Sequence, residues 1–253
     1  MLYAYADHIN LIMVAYHRAN DLKRCVDSVL SNTQAKFRLC IIDNSLGAID
    51  ATLDTYRSCD NVVIYKNDSN LGKPRAVNRW YDKIMLRSRA GYFVSIDSDV
   101  VVKPGWLCEL IRSYVAVSRH VKVGLMAPII QDHLFETWQW QLDNKVRMHN
   151  TSIMREESSY KGVYYNRYTA GPVLLINKYL FEDIGGFYDK QLYGADDGQL
   201  CKTCDRKGYF IGLNTNVSVL HSQLDVDELY VNWKARNVRG DVDGCGRWDY
   251  ENN

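Results

Sequence analysis

The chain has no excess of either charge. Its 253 residues carry 31 Lys and Arg against 30 Asp and Glu, a formal net charge of +1, so no global pull toward nucleic acid or an anionic membrane is expected. It also lacks any stretch near the roughly 18 consecutive apolar residues of a membrane span. The N-terminal MLYAYADHINLIMVAYHR has no basic leader followed by an apolar core and a cleavage site, so it does not read as a signal peptide. Two nucleotide signatures are missing. No GxGxxG follows the first apolar run, which argues against a dinucleotide fold, and no GxxxxGKS or GxxxxGKT occurs, which argues against a P-loop. Zinc-ligand spacing is missing too. The seven cysteines (25, 40, 59, 108, 201, 204 and 245) are odd in number and scattered, and Cys201-Lys202-Thr203-Cys204 is a CxxC without a second pair. Reduced thiols in a cytoplasmic protein are the simplest expectation.

What is present is an ordinary globular composition, 47% apolar and 24% charged. The length suits one large α/β domain, or one with a small appendage. Ile9 to Ala15 reads as a buried strand, followed by a polar loop, Tyr16 to Asn20. From Asp21, the apolar residues Leu22, Cys25, Val26, Val29 and Leu30 recur at helical spacing. Arg38 to Asp43 is a second strand ending in an acid and Asn44-Ser45, and Val62 to Tyr65 a third. The loop Asn67 to Arg75 opens a helix on which Val77, Trp80, Tyr81, Ile84 and Met85 share a face. Strand and helix thus alternate over the first ~100 residues, the pattern of a parallel sheet with helices on its faces. In such sheets ligands bind beyond the carboxyl ends of the strands. The polar loops after the first, second and fourth strands are therefore expected to converge on one cleft, and the backbone N–H groups of Asn70 to Arg75 to suit a phosphate.

The centre of the pattern is Tyr92 to Trp106, YFVSIDSDVVVKPGW. A buried strand ending at Asp97 would deliver Asp97 and Asp99, with Ser98 between them, to that cleft, because burying unpaired charge in a strand core is costly. Acids this close need a cation or a proton between them, and a hard divalent ion shared with substrate phosphates fits. Pro104 is expected at an early position of the next helix, which runs to about Arg119. Lys122 to Ile130 reads as a strand. From Gln131 to Tyr168 periodicity fades while aromatic and basic residues, Trp138, Trp140 and Tyr168 among them, increase. That stretch is either a platform for sugars or bases or an irregular packed insertion. Gly171 to Ile176 is a strand, Lys178 to Asp183 a short helix, and Tyr193 to Gly198 a second acidic node with Asp196 and Asp197 at a helix start. Carboxylates there commonly serve as caps. Tyr209 to Leu213 and Val217 to Leu220 read as two strands with His221 directly after; a helix after Asp225 and an irregular tail complete the reading.

Together, six stretches resemble the family-2 type of GT-A glycosyltransferase, over about Leu11 to Ser222. They are VAYHR with the following SVL, IIDNS, NLGKPRAVN, SIDSDV, GPVLLINKYLFEDIGGFYDKQLYGADDGQL and VSVLHS. The resemblance implies a mostly parallel, Rossmann-like central sheet flanked by helices, with a smaller mixed sheet on the acceptor side. It implies one domain over residues 1–225, its nucleotide-sugar-binding half ending near 103, and then a helix and tail over 226–253. It implies a nucleotide-sugar donor, a UDP-sugar first, and Mn²⁺ or Mg²⁺. Carried over by position, Ala15, Tyr16, His17 and Arg18 would line the nucleoside pocket, with Asp43 and Asn44 at the base. Asn70, Gly72, Lys73, Arg75, Asp97 and Ser98 would meet ribose and diphosphate. Asp99, with Asp97 and His221, would hold the metal; Asp197 would be the catalytic base and Asp196 the acid before it. Gly171, Tyr193, Trp138 and Trp140 fall on the acceptor side.

The match has departures. His17 stands where Asn is common, the acidic pair is Asp-Asp rather than Glu-Asp, and Gln199 replaces a frequent acid. Inversion with Asp197 as base is the expected outcome; the departures leave the exact base open and keep retention as an alternative. A nucleotidyltransferase and a non-catalytic nucleotide-sugar-binding module are the alternatives; the loop AYHRAND lacks the glycines of the former. A glycan is the default acceptor, with a hydroxylated nucleic-acid base or a protein side chain as alternatives.

Overall fold

A computed structural model describes residues 8–86, 88–132, 158–190 and 196–222. The order is β1 (Ile9–Ala15), α1 (Ala19–Asn32), β2 (Phe37–Asp43), α2 (Asp50–Asp54), β3 (Val62–Lys66), α3 (Gly72–Met85), β4 (Tyr92–Asp97) and β5 (Val100–Val101). Then come α4 (Trp106–Val117), β6 (Val123–Asp132), β7 (Val163–Tyr165), β8 (Val173–Asn177), α5 (Lys178–Asp183), α6 (Asp196–Arg206) and β9 (Phe210–His221). Trp138, Trp140 and Tyr193, and the helix and tail expected after Asp225, lie outside the described residues.

The strands form one sheet in the order β3-β2-β1-β4-β8-β6-β9-β5, with β7 also on β9. Its first four strands run parallel. Beyond β4 it is mixed: β8 is antiparallel to both β4 and β6, and β9 is parallel to β6. The mixed acceptor-side strands thus continue the parallel sheet edge to edge.

Strands covered on both faces are apolar at successive positions, and β1 shows how they are divided. Leu11 and Met13 pack toward α1, α2 and α4 with Val26, Leu39 and Leu110, while Ile12 packs toward α3 and α5 with Val77, Phe93 and Phe181. Side chains alternate along a strand, so one apolar run feeds two cores.

Two local expectations change, and one short helix is added. Pro104 stands outside its helix. Gly105, at φ 82°, takes the cap position and α4 begins at Trp106; a left-handed residue ends the extended chain at low cost only if it is glycine. The two strands expected at 209–213 and 217–220 are one continuous β9. The polar Asn214-Thr215-Asn216, which reads as a turn, is held within the strand. Buried Asn214 donates to the Ser113 hydroxyl at 2.8 Å and accepts from Asn216 N–H at 2.9 Å, beside a register shift against β6. The short α2 has one buried residue, Leu53, too few to set a helical period.

Candidate active site

At the carboxyl edge of the sheet the loops after β1, β2 and β3 are tied together, and the end of β4 is tied to the segment before β8. Asn44 N–H donates to the Ala15 carbonyl at 2.9 Å, Asn67 N–H to that of Asp43 at 2.9 Å, and Asp97 N–H to that of Pro172 at 2.8 Å.

One wall centres on Asp99. Parallel pairing sets Val14 beside Asp97, which brings the loop after β1 to the end of β4. Antiparallel pairing of β5 with β9 sets Val100 opposite His221, and Ser222 N–H donates to the Asp99 carbonyl at 2.7 Å. The His221 Nε2 therefore lies 3.2 Å from Asp99 Oδ2. The Arg18 guanidinium reaches the same oxygen at 2.7 Å and the buried Asp21 at 2.6 Å. His17 and Arg18 both adopt left-handed backbone, φ 53° and 55°, at a cost of roughly 1–2 kcal/mol each. Burial works against the charge of Asp99, but His221 and Arg18 outweigh it and hold its carboxyl at about 2. Asp97 moves the other way: burial pushes it up, Lys73 pulls against that, and the Asp99 charge adds to it.

Ligand atoms of Asp97, Asp99 and His221 all lie within 4.8 Å of one another. Two carboxylates and an imidazole on so small a footprint fit a divalent ion. The imidazole favours Mn²⁺ over Mg²⁺, which prefers an all-oxygen shell. Ser98, between the two acids, is half-buried.

Beside this wall lies a polar pocket on β2. Asp43 is buried; its Oδ1 accepts from the Ser45 N–H at 2.8 Å and from the Ser45 hydroxyl, and Lys66 stands 3.9 Å from Oδ2. Lys66 also pairs with Asp50. Asn44 is fully buried. It accepts from Asn67 Nδ2 at 2.7 Å and donates to Asn70 Oδ1 and the Gly72 carbonyl, both at 3.3 Å. Its amide thus fastens the loop entering α3. Asn70 in turn accepts from Gly72 N–H at 3.0 Å, where Gly72 turns the chain at φ 72°. Arg75 is exposed, and its Nε donates to the Asp189 carbonyl at 2.8 Å.

The second wall is the N-terminus of α6, whose first turn holds Asp196 and Asp197, where the helix dipole favours negative charge. Asp197 Oδ2 accepts from the Tyr168 hydroxyl at 3.1 Å and from Gly171 N–H at 3.0 Å, and Oδ1 accepts from Gly198 N–H at 2.8 Å. A Cβ on Gly171 would sit 3.1 Å from Asp197 Cβ and 3.2 Å from Oδ2, so glycine lets the carboxylate seat against the backbone. Burial first, and the Asp196 charge second, push the Asp197 carboxyl up to about 6, against the pull of Lys73 and the hydrogen bonds from Gly198 and Tyr168.

Lys73 joins the walls. Its ammonium donates to Asp97 Oδ1 at 2.7 Å and to the Gly171 carbonyl at 3.2 Å, and stands 3.7 Å from Asp196 Oδ2. Burial disfavours its charge, but Asp97 and Asp196 outweigh that and hold the amine above its ordinary range.

Several participants carry weak signals in the sequence. Asp21 marks a helix start in the sequence, and its i,i+3 spacing to both Arg18 and Arg24, each within 2.6 Å of it, is a legible sign of an ion-pair triad. Tyr168 counted only as one of many aromatics, and nothing local marks it. Asn78 grips the turn ahead of the second wall, donating to the Phe187 carbonyl and accepting from its N–H, both at 2.9 Å. The Cys201 and Cys204 thiols are buried, both pushed up by desolvation, Cys204 to about 12. They are not poised for redox or metal chemistry.

A family model described as Glycosyl transferase family 2 matches residues 10–183. Among curated proteins, the Glycosyltransferase GlyA of Streptococcus pneumoniae serotype 4 is 24% identical over 120 residues, 47% of this chain and 16% of that protein. Among solved structures, GalNAc-T7 with UDP, GalNAc and Mn²⁺ matches at TM-score 0.64 and 17% identity over 85% of this chain and 44% of that one. The mannosyltransferase PcManGT from Pyrobaculum calidifontis with GDP-Man and Mn²⁺ matches at TM-score 0.65 and 15% identity over 92% and 61%. S. aureus TarS 1-349 with UDP-GlcNAc matches at 0.61 and 11% over 88% and 60%. The chain spans less than two thirds of each of these relatives. At such identities the structural likeness speaks for the fold, the GT-A fold that the sequence resembles.

Proposed function

The chain belongs to glycosyl transferase family 2, and from that membership we propose that it transfers a sugar from a nucleotide-sugar donor, a UDP-sugar, to an acceptor hydroxyl with inversion. The observation that carries the reading is the meeting of two acid walls of opposite character, Asp97–Asp99–His221 and Asp196–Asp197, within reach of one lysine.

In this reading Asp99, Asp97 and His221 hold Mn²⁺, with Mg²⁺ second. When bound, the ion neutralises the leaving diphosphate. Ala15 to Arg18 flank the nucleoside, and Asp43 meets the base through Oδ2, since Ser45 takes Oδ1. The start of α3, at Asn70 and Lys73, receives phosphate oxygens on backbone N–H groups, while Gly72, whose N–H is held by Asn70 Oδ1, turns the chain there. Asn44 keeps that loop in place.

Asp197 is the base. The acceptor O–H proton passes to its carboxylate as the acceptor oxygen bonds to the anomeric carbon and the bond to diphosphate breaks. A base with a pKa near 6 is mostly ionised at neutral pH yet still basic enough to take a proton. Tyr168 and the Gly171 N–H fix its orientation. A glycan is the acceptor put forward, with a hydroxylated base or a protein side chain as other classes, and a cytoplasmic setting accords with the scattered free thiols.

The test is a thermal-shift screen of nucleotide sugars with Mn²⁺, followed by mass spectrometry of acceptor pools. A Mn²⁺-dependent stabilisation by one donor and an acceptor mass gain of one sugar are expected. Pyrophosphate release from a nucleoside triphosphate and a sugar phosphate would instead establish a nucleotidyltransferase. Donor binding without hydrolysis or transfer in any metal would leave a binding module.

A further inference from the structure

The position of Lys73 is electrostatically awkward. It lies in the first turn of α3, which contains no acidic residue, and a cation at a helix N-terminus opposes the dipole. Its ammonium is nevertheless drawn inward onto acceptors from three segments: Asp97 at the end of β4, Asp196 at the start of α6, and the Gly171 carbonyl before β8. Arg18, the other cation of the cleft, is held differently. It is clamped between Asp99 and the buried Asp21, and a planar guanidinium fixed by two carboxylates has little freedom. Lys73 carries a point charge on a flexible stem, so it can trade one acceptor for another.

With Asp21 and its second partner Arg24 included, five carboxylates, Asp21, Asp97, Asp99, Asp196 and Asp197, face three cations, Arg18, Arg24 and Lys73. The imbalance is two negative charges, that of one divalent ion. Asp97 is the one proposed ion ligand that Lys73 occupies.

We propose that Lys73 is a resident counter-cation that competes with the divalent ion for Asp97, and that ion loading shifts its charge onto Asp196 beside the base. The proposal rests on the reading of Asp97, Asp99 and His221 as ion ligands. Its consequence is a linkage between the walls: the ion and the lysine exclude each other at Asp97, so filling the donor wall changes the electrostatic setting of the acid pair. Lys73 acts as a positioning residue through its neighbours.

The experiment is Mn²⁺ binding to the whole chain without nucleotide, by calorimetry or by electron paramagnetic resonance of free Mn²⁺. It compares the parent, Lys73→Met, Lys73→Gln and the charge-matched control Lys103→Met, whose ammonium contacts Ser218. Lys73→Gln removes the charge and keeps an N–H donor on a stem one atom shorter, so it serves if the methionine variant does not fold. Removal of the competing charge is expected to tighten Mn²⁺ binding about tenfold in either Lys73 variant, with Lys103→Met within about twofold of the parent. Unchanged or weaker binding in the Lys73 variants, or equal tightening in Lys103→Met, overturns the proposal. Asp99→Asn separates the two readings. If the parent binds no ion that this substitution removes, the ion-site reading falls and takes this proposal with it. If the parent does bind such an ion and the Lys73 variants bind it no more tightly, only this proposal falls.

Discussion

Two pairs of neighbouring carboxylates share one cleft, and their surroundings drive them apart. Asp99 at the end of β4 touches a guanidinium and an imidazole and falls to about 2. Asp197 at the start of α6 is met by neutral donors, with a second acid beside it, and rises to about 6. The carboxyl group is the same; the immediate partners decide whether it stays a permanent anion suited to hold a cation or becomes a group able to exchange a proton near neutrality. The difference predicts separable losses on substitution.

The largest effect is expected at Asp197→Asn: transfer falls by about 10³-fold, while Mn²⁺ and donor affinities stay within about twofold. The same variant tests the electrostatics. A carboxyl whose folded pKa is raised binds more protons folded than unfolded, so its charge costs stability above about 6, and that cost fades as pH falls toward ~4. Removing the charge is expected to raise the melting temperature at pH 7, by the order of 1–2 kcal/mol of stability. A melting temperature lowered at pH 7 and unchanged at pH 4 would contradict the raised pKa.

Next comes Asp99→Asn, expected to lower turnover about 10²-fold or more through loss of ion-dependent donor binding, read by calorimetry with and without Mn²⁺. Gly171→Ala, whose methyl group would press on the Asp197 carboxylate, should cost about tenfold in kcat with donor KM unchanged. A changed donor KM instead would place Gly171 on the other wall. The smallest effect is in the pH profile. The base must be ionised, so kcat/KM should fall as pH drops through about 6. Tyr168→Phe removes a hydrogen bond that favours the charged form, and should move that limb upward by less than about one pH unit. A downward move would show the hydroxyl favouring the protonated acid.

The parallel half of the fold was open to reading because β1, β2 and β4 are largely buried apolar runs closed by polar residues, and the edge strand β3 is an apolar run between polar stretches; β1 follows the expected Ile9 to Ala15. The first acid pair was legible for the same reason, since Asp97 and Asp99 interrupt apolar sequence, whereas Asp196 and Asp197 stand out only as acids at a helix start and through the family resemblance. Less legible was anything set by contact between distant segments. Nothing near His221 in sequence indicates that β5 will pair with the end of β9 and bring it to Asp99. Nothing near Tyr168 indicates that its hydroxyl meets Asp197. Lys73 was expected beside the diphosphate from its place in a loop entering a helix, but its three acceptors emerge only when β4, β8 and α6 are brought together. Asn44 illustrates a related point: a polar residue at a strand end reads as a ligand contact, and here its amide is wholly engaged in holding the loop.

The pairing of β5 with β9 also bears on the order in which the molecule is built. A chain leaves the ribosome N-terminus first, so β1 to β4 and both acids of the Asp-x-Asp stretch are out long before His221. The imidazole reaches Asp99 only once β6, β8 and β9 have been laid down in sheet order. In the proposed assignment, a nascent chain would thus offer an ion two carboxylates without the third ligand. Under the proposed ligand set, tight retention would wait until β9 docks, and a bound ion would then stabilise the finished sheet rather than its precursors.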